Sequence, residues 1–171
     1  GSPLPVSSGL SDDVFDHDGQ ITKRPIRAIT LSTLAPRPGE HLWDIGAGSG
    51  AIGIERMLGH PANRTTAIEH NSERAARIRH NANTLGADRL QLFEGTALEF
   101  LRCRPAKEPP DAVFIGGGLS EALLQSLWQH LPAGTRVVAN SVTLETDTLL
   151  SKWHAKTGGS LIRIEVSNAT P

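Results

Sequence analysis

Asp44, Gly46, Gly48 and Gly50 stand at alternate positions in His41–Gly53, HLWDIGAGSGAIG, with Ala47 and Ser49 between the glycines. A short apolar run ending in an acid, closely spaced glycines and an apolar-periodic segment opening at Ala51 predict a strand, a tight turn and a helix. Such a turn offers free N–H groups and the positive end of a helix dipole to a bound group. Gly48, Gly50 and Gly53 also satisfy G-x-G-x-x-G, and Glu69 lies where a dinucleotide-binding unit places its ribose acid. Asp44 separates the two ligands. A pyrophosphate would be repelled by a neighbouring carboxylate, whereas the sulfonium and ammonium of S-adenosylmethionine suit one. D-x-G-x-G-x-G therefore reads as a methyl-donor site that would release S-adenosyl-L-homocysteine.

The other strand ends complete this reading. Glu69, closing the predicted second strand, is placed to accept hydrogen bonds from both ribose hydroxyls; pairing with an arginine is the alternative. His70 either stacks beside the adenine or faces solvent. Glu94-Gly95-Thr96-Ala97 follows the third strand, and backbone groups at Thr96 and Ala97 are candidates for reading the adenine. Gly116, Gly117 and Gly118 end the fourth strand where base-amine methyltransferases place N/D-P-P-Y, so base methylation is disfavoured. These glycines either clear room for a bulky substrate or form a flexible turn. No serine, cysteine or histidine constellation indicates a covalent nucleophile, and the seven histidines have no metal-ligand spacing, so no metal is expected.

The 171 residues and formal charge of −1 suit one folded domain without global attraction to nucleic acid or membrane. The single Cys103, between Arg102 and Arg104, excludes an internal disulfide and fits a reducing, cytoplasmic setting. No apolar run would span a membrane. Gly1-Ser2 reads as a cloning remnant and residues up to 8 as linker, leaving 9–171 as the domain. Acids cluster at Asp12, Asp13, Asp16 and Asp18. From Gly19 to Gly39 every charged residue is basic: Lys23, Arg24, Arg27 and Arg37. That segment is either a solvated helix face, with Ile26, Ile29, Thr30 and Thr33–Leu34 at helical spacing, or a basic rim for a polyanionic substrate.

Strands are predicted at 41–44, 65–69, 90–93, 111–115, 135–139 and 161–166. Helices are predicted at 51–58, from a cap at Asn71 or Ser72 to Gly86, around 97–101, at 120–130 and after Asn140–Thr143. A Pro-rich loop through Pro105, Pro109 and Pro110 separates two of them. Leu123, Leu124, Leu127 and Trp128 should face inward, and the last helix carries Leu144, Leu149, Leu150 and Trp153. The alternation predicts an α/β fold, a mainly parallel sheet with helices on both faces.

Four segments carry a family resemblance: D-G-Q-I-T-K-R-P-I-R-A at Asp18–Ala28, W-D-I-G-A-G-S-G at Trp43–Gly50, F-I-G-G at Phe114–Gly117 and N-S-V-T-L-E at Asn140–Glu145. Together they resemble the decarboxylating precorrin methyltransferases of cobalamin and porphyrin biosynthesis. The resemblance implies a Rossmann-like class I fold binding S-adenosylmethionine. It implies methylation of meso carbon 15 of a precorrin, with decarboxylation of the carbon-12 acetate. Some members stand alone as homotetramers, while others form the C-terminal half of an enzyme whose first half methylates carbon 5; the lead-in favours the second arrangement. The many carboxylates of a precorrin would then explain Lys23, Arg24 and Arg27 as substrate contacts, beside Gly117 and Gly118. Thr22 and Lys23 near donor and substrate, Asn140 and Thr143 on the opposite wall and Glu145 as a proton-transfer group are the implied catalytic set. The family's sheet ends in an antiparallel hairpin, and the five residues after Val166 leave its last strand apparently missing. Another small-molecule or RNA methyltransferase and a nicotinamide-dependent oxidoreductase are the competing functions.

Overall fold

The computed structural model describes residues 3–103 and 108–169. Gly1-Ser2, Arg104 and Pro105, each given a reading above, lie outside the described residues. The chain forms two compact units, 1–140 and 141–171.

In the first unit, α1 (Arg24–Leu34) precedes β1 (His41–Ile45), α2 (Ala51–Leu58), β2 (Arg64–Glu69), α3 (Ser72–Leu85) and β3 (Gln91–Glu94). Then follow α4 (Ala97–Cys103), β4 (Ala112–Ile115), α5 (Glu121–His130) and β5 (Arg136–Ala139). The five strands are all parallel, in the order β3-β2-β1-β4-β5. The order reverses between β1 and β4, so the loops after these two strands flank the switch point where open α/β sheets bind ligands.

Residues alternate across the central strand as a pleat requires. Leu42 packs with Leu31 and Leu34 of α1, Ile52 of α2 and Phe114 of β4. Trp43 points to the opposite face, where its ring meets Phe100 of α4 edge-on at 5.0 Å. Local signals set the ends: the Asn71 side chain accepts from Arg74 N–H, Ser120 accepts from Leu123 N–H, and Gly86 closes α3 in the left-handed region. At the sheet's amino edge Glu40 accepts from two Arg136 nitrogens at 3.1 and 2.6 Å. Burial opposes ionisation of Glu40, but Arg136 and the Arg37 N–H outweigh it and hold its carboxyl below the usual range.

Residues 9–22 form a strap along α2 and α3. Leu10 and Phe15 are buried with Ala51, Ile54 and Met57 of α2 and Ala82 of α3. Arg27, with no exposed surface, donates Nε to Glu55 Oε1 at 2.6 Å and Nη1 to the Thr22 carbonyl, and Nη2 reaches Asp12 at 3.0 Å. Glu55 accepts in turn from the backbone N–H groups of Gly9 and Leu10. Farther along the strap, Asp18 pairs with Arg74 and Arg77. The Arg74 hydrogen bond first, and then the Gln20 N–H, draw the Asp18 carboxyl down to about 2.

Three expectations are corrected. The buried stripe of α1 is Arg27, Thr30, Leu31 and Leu34, with Ile29 exposed, because Glu55 draws Arg27 inward and rotates the face. Trp128 is 48% exposed, on the flank of the row that Leu123, Leu124 and Leu127 bury. Residues 161–166 form no strand; a strand needs a ladder partner, and they have none among the described residues. The second unit holds α6 (Leu144–Thr157), whose buried residue is Trp153 and whose first residue, Leu144, is exposed.

Glu55→Ala would strand the Arg27 guanidinium in the interior. It should destabilise the fold by about 3–5 kcal/mol in urea denaturation. The paired replacement Arg27→Met with Glu55→Leu should recover much of that loss. A Glu55→Ala protein as stable as the parent would contradict this account.

Candidate active site

The glycine-rich loop is built by backbone hydrogen bonds that leave a defined set of donors. Gly46 and Ala47 N–H groups both donate to the Ile68 carbonyl, at 2.9 and 3.1 Å, and Gly50 N–H donates to Ala47 at 2.8 Å. Gly53 N–H is taken by Asp44 Oδ2 at 3.1 Å. Among the described residues this leaves the N–H groups of Gly48 and Ser49, and of Ala51 and Ile52 in the first turn of α2, without a protein acceptor. They are therefore available to an anionic or carbonyl group at the helix N-terminus.

Two glycines here are required by close approach. Gly46 has φ +65°, and a Cβ on it would lie 2.6 Å from the Gly117 backbone. A Cβ on Gly116 would lie 2.9 Å from the Phe114 ring. Gly46 and Gly116 thus let the two loops at the switch point touch. The expectation that the triple glycine opens substrate space is corrected for Gly116, whose saved volume is filled by the Phe114 ring; at Gly117 a Cβ would meet Gly46 only at an ordinary 3.7 Å. Gly118, with nothing within 4 Å of its Cβ position, is open.

Asp44 is 1% exposed. Its Oδ2 caps α2 and its Oδ1 has no hydrogen-bond partner. Burial, reinforced by the Glu69 charge and opposed by the Gly53 N–H, pushes its carboxyl up to about 7. Repulsion of a pyrophosphate at full strength needs a fully charged carboxylate, and the buried carboxyl carries less than that at neutral pH. Its role is also wider, since it fixes the first turn of α2 behind the loop.

Glu69 ends β2 buried, with Oε2 accepting from His70 N–H at 2.9 Å; its carbonyl accepts from Gly95 N–H. The His70 ring is largely exposed, with Nδ1 3.5 Å from Glu69 Oε2. Thr96 and Glu99 form a reciprocal cap on α4: Thr96 N–H donates to Glu99 at 2.8 Å, and Glu99 N–H to Thr96 Oγ1 at 3.2 Å. Thr96 N–H is therefore committed to Glu99. Ala97 N–H, the first of α4, has no acceptor among the described residues.

The strap brings the segment before α1 onto this loop: a Cβ on Gly48 would lie 3.0 Å from the Gln20 carbonyl. Thr22 is half-buried, its carbonyl held by Arg27. Lys23 caps α1 without a side-chain cap bond, and it and Arg24 are exposed. Arg27 is removed from the substrate contacts, because its guanidinium is enclosed and saturated by Glu55, Asp12 and two carbonyls. Asn140, beyond β5, donates Nδ2 to Thr30 Oγ1 at 2.9 Å. Thr143 and Glu145 belong to the second unit, where Thr143 caps α6 through Thr146 N–H and Glu145 is exposed in its first turn. Sequence reasoning missed Glu55 and Asn81. Each had a signal, a polar residue inside an otherwise apolar helical row.

A family model for a precorrin methyltransferase domain matches residues 13–171. The chain is 51% identical over 169 residues to a Sinorhizobium precorrin-6Y C(5,15)-methyltransferase [decarboxylating], covering 98% of this chain and 40% of that protein. It is 31% identical over 140 residues to a Salmonella typhimurium cobalt-precorrin-6B C(15)-methyltransferase (decarboxylating), covering 80% and 70%. Its structure matches the C-terminal domain of precorrin-6Y C5,15-methyltransferase from Rhodobacter capsulatus with TM-score 0.92 and 47% identity, over 98% of this chain and 89% of that one. The chain thus spans about 40% of the length of the Sinorhizobium relative.

The Asp44 carboxyl yields a signed pH effect. Its pKa is about 7 in the fold against 3.8 for the free group, so the folded state binds the extra proton between these values. Stability from this group is full below pH ~4 and is lost as pH rises through ~7, by up to roughly 4 kcal/mol. Asp44→Asn should flatten that part of the profile in ligand-free protein and gain on the parent as pH rises to 7.5. Parallel denaturation profiles for the two proteins from pH 4.5 to 7.5 would contradict this.

Proposed function

The chain belongs to the precorrin methyltransferase family, and from that premise we propose that it methylates carbon 15 of a precorrin and decarboxylates the carbon-12 acetate in cobalamin biosynthesis. We further propose that it works as the C-terminal partner of a domain that methylates carbon 5. The carrying observation is the Gln20–Gly48 approach, which lays the segment leading into Thr22, Lys23 and Arg24 onto a loop with free backbone donors.

The residues present fit S-adenosylmethionine. Gly48 and Ser49 N–H groups, with the first turn of α2, would take its carboxylate, and Glu69 its ribose hydroxyls. The buried, like-charged Asp44 and Glu69 favour a ligand that brings positive charge over one that adds negative charge. When bound, S-adenosylmethionine supplies an electrophilic methyl group for the meso carbon. His70, exposed beside Glu69, would border the donor's ribose and adenine.

Lys23 and Arg24, exposed and without an ion-pair partner among the described residues, would grip peripheral carboxylates of the macrocycle. Holding the ring in this way leaves the carbon-12 acetate free to lose carbon dioxide, its bonding electrons passing into the conjugated ring and a proton then restoring the methyl substituent. Gly118 borders the open side of the second loop. Asn140, fixed by Thr30, orients the end of β5. Thr143 and Glu145 enter the proposal as candidates for positioning and proton transfer.

The deciding experiment incubates a carbon-5-methylated precorrin with the protein and S-adenosylmethionine and weighs the product. One methyl gained and one carbon dioxide lost is the expected result; an unchanged mass despite donor binding overturns the substrate assignment. Lys23→Gln and Arg24→Gln should each raise the precorrin KM about three- to tenfold with little change in donor affinity. Alanine at Thr143 or Glu145 that leaves both steps intact removes that residue from the catalytic set.

A further inference from the structure

Asn81 lies on the inner side of α3, 2% exposed, in line with Ala75, Ile78 and Ala82. An amide in that row costs free energy unless its polar atoms are satisfied. All of its recorded hydrogen bonds go to two segments distant in sequence. Oδ1 accepts from Asp16 N–H at 2.8 Å, and Nδ2 donates to the Asp16 carbonyl at 2.9 Å and to the Ser49 carbonyl at 3.0 Å. One carboxamide therefore fastens the strap and the glycine-rich loop to the same rigid helix.

The Ser49 bond has a specific geometric consequence. Ser49 C=O and Gly50 N–H share one peptide plane. Gly50 N–H is held by Ala47 at 2.8 Å, and Asn81 holds the carbonyl at the other edge of the plane. Gly50, at φ +79°, adjoins that plane and would otherwise let it turn at little cost. Its orientation, together with the Gly48–Ser49 peptide before it, sets where the free N–H groups of the loop point.

We propose that Asn81 is a positioning residue for the methyl donor: by clamping the Ser49–Gly50 peptide and tying it to the strap at Asp16, it presets the free loop amides for the donor carboxylate. The inference rests on the donor reading given above. It assigns Asn81 no contact with donor or substrate.

Asn63 supplies a matched control. It is also buried, 3% exposed, and also joins separated segments, with Oδ1 accepting from Gly39 N–H and Nδ2 donating to the Arg56 carbonyl. It precedes β2 and so lies at the sheet edge opposite the loop. Asn81→Asp keeps the acceptor for Asp16 N–H and, at pH 7.5, removes both donors; Asn81→Ala removes all three bonds.

The test measures S-adenosylmethionine affinity by calorimetry, the two KM values and kcat, and urea midpoints for the parent, Asn81→Asp, Asn81→Ala and Asn63→Ala. The parent must bind the donor; if it does not, the donor reading itself fails. Given parent binding, both Asn81 variants should lose about tenfold or more in donor affinity. Donor KM should rise while kcat at saturating donor stays within about threefold, the signature of lost preorganisation. Asn63→Ala should lower the urea midpoint and leave donor affinity within about twofold. Parent-like donor affinity in Asn81→Asp overturns the proposal, as does an equal loss in Asn63→Ala. If Asn81→Ala does not fold, Asn81→Asp and amide exchange at Gly50 decide: the proposal requires faster exchange of that amide in Asn81→Asp.

Discussion

The buried pair between Arg27 and Glu55 is the constraint on which the rest of the site depends. Neither side chain belongs in an apolar interior alone, and each is satisfied because the other and four backbone groups meet there. Satisfying them fixes three things together: the rotational phase of α1, the path of residues 9–12 over α2, and the place where the chain turns into α1 at Thr22. Glu55 sits on the helix that the glycine-rich loop opens. The segment bearing Lys23 and Arg24 is thereby referenced to the same helix as the loop amides.

A second constraint acts between backbones. β1 and β4 are neighbours in the sheet, so the loops that leave them must pass one another at the switch point. They pass by contact, with Gly46 against Gly117, and Gly46 has no room for a side chain there. Four glycines that look alike in the sequence therefore do different work. Gly46 permits the contact, Gly116 clears the Phe114 ring, Gly117 would take a Cβ at ordinary contact distance, and Gly118 faces open space.

Features controlled by a few adjacent residues were legible in the sequence. The order of strands and helices, the caps at Asn71 and Ser120 and the stop at Gly86 follow from local hydrogen bonding and positive φ. The placement of Asp44, Gly46–Gly50 and Glu69 at strand ends followed from the same alternation. What depended on distant partners was not legible. Arg27 looks like a substrate cation until Glu55, in the next helix, is seen to enclose it. Thr96 looks available until Glu99 reaches back to its N–H. Residues 161–166 have the alternation of a strand, but pairing is a property of two segments, and pattern alone cannot supply the second.

The two carboxylates at the ends of β1 and β2 bring the electrostatics of the site to a point. The Glu69 charge opposes ionisation of Asp44, and among the described residues the ion pairs of either include no cation but the exposed His70. Asp44 responds by holding a proton to about pH 7, so its full charge is not a standing feature of the ligand-free site. A positively charged ligand nearby would lower the cost of ionising it, whereas a pyrophosphate would raise that cost and drive the carboxyl further toward its neutral form. Discrimination between the two ligands thus does not require a carboxylate that is always ionised. It requires one whose ionisation is costly enough to be coupled to the charge of what binds beside it, and burial behind the loop supplies that cost.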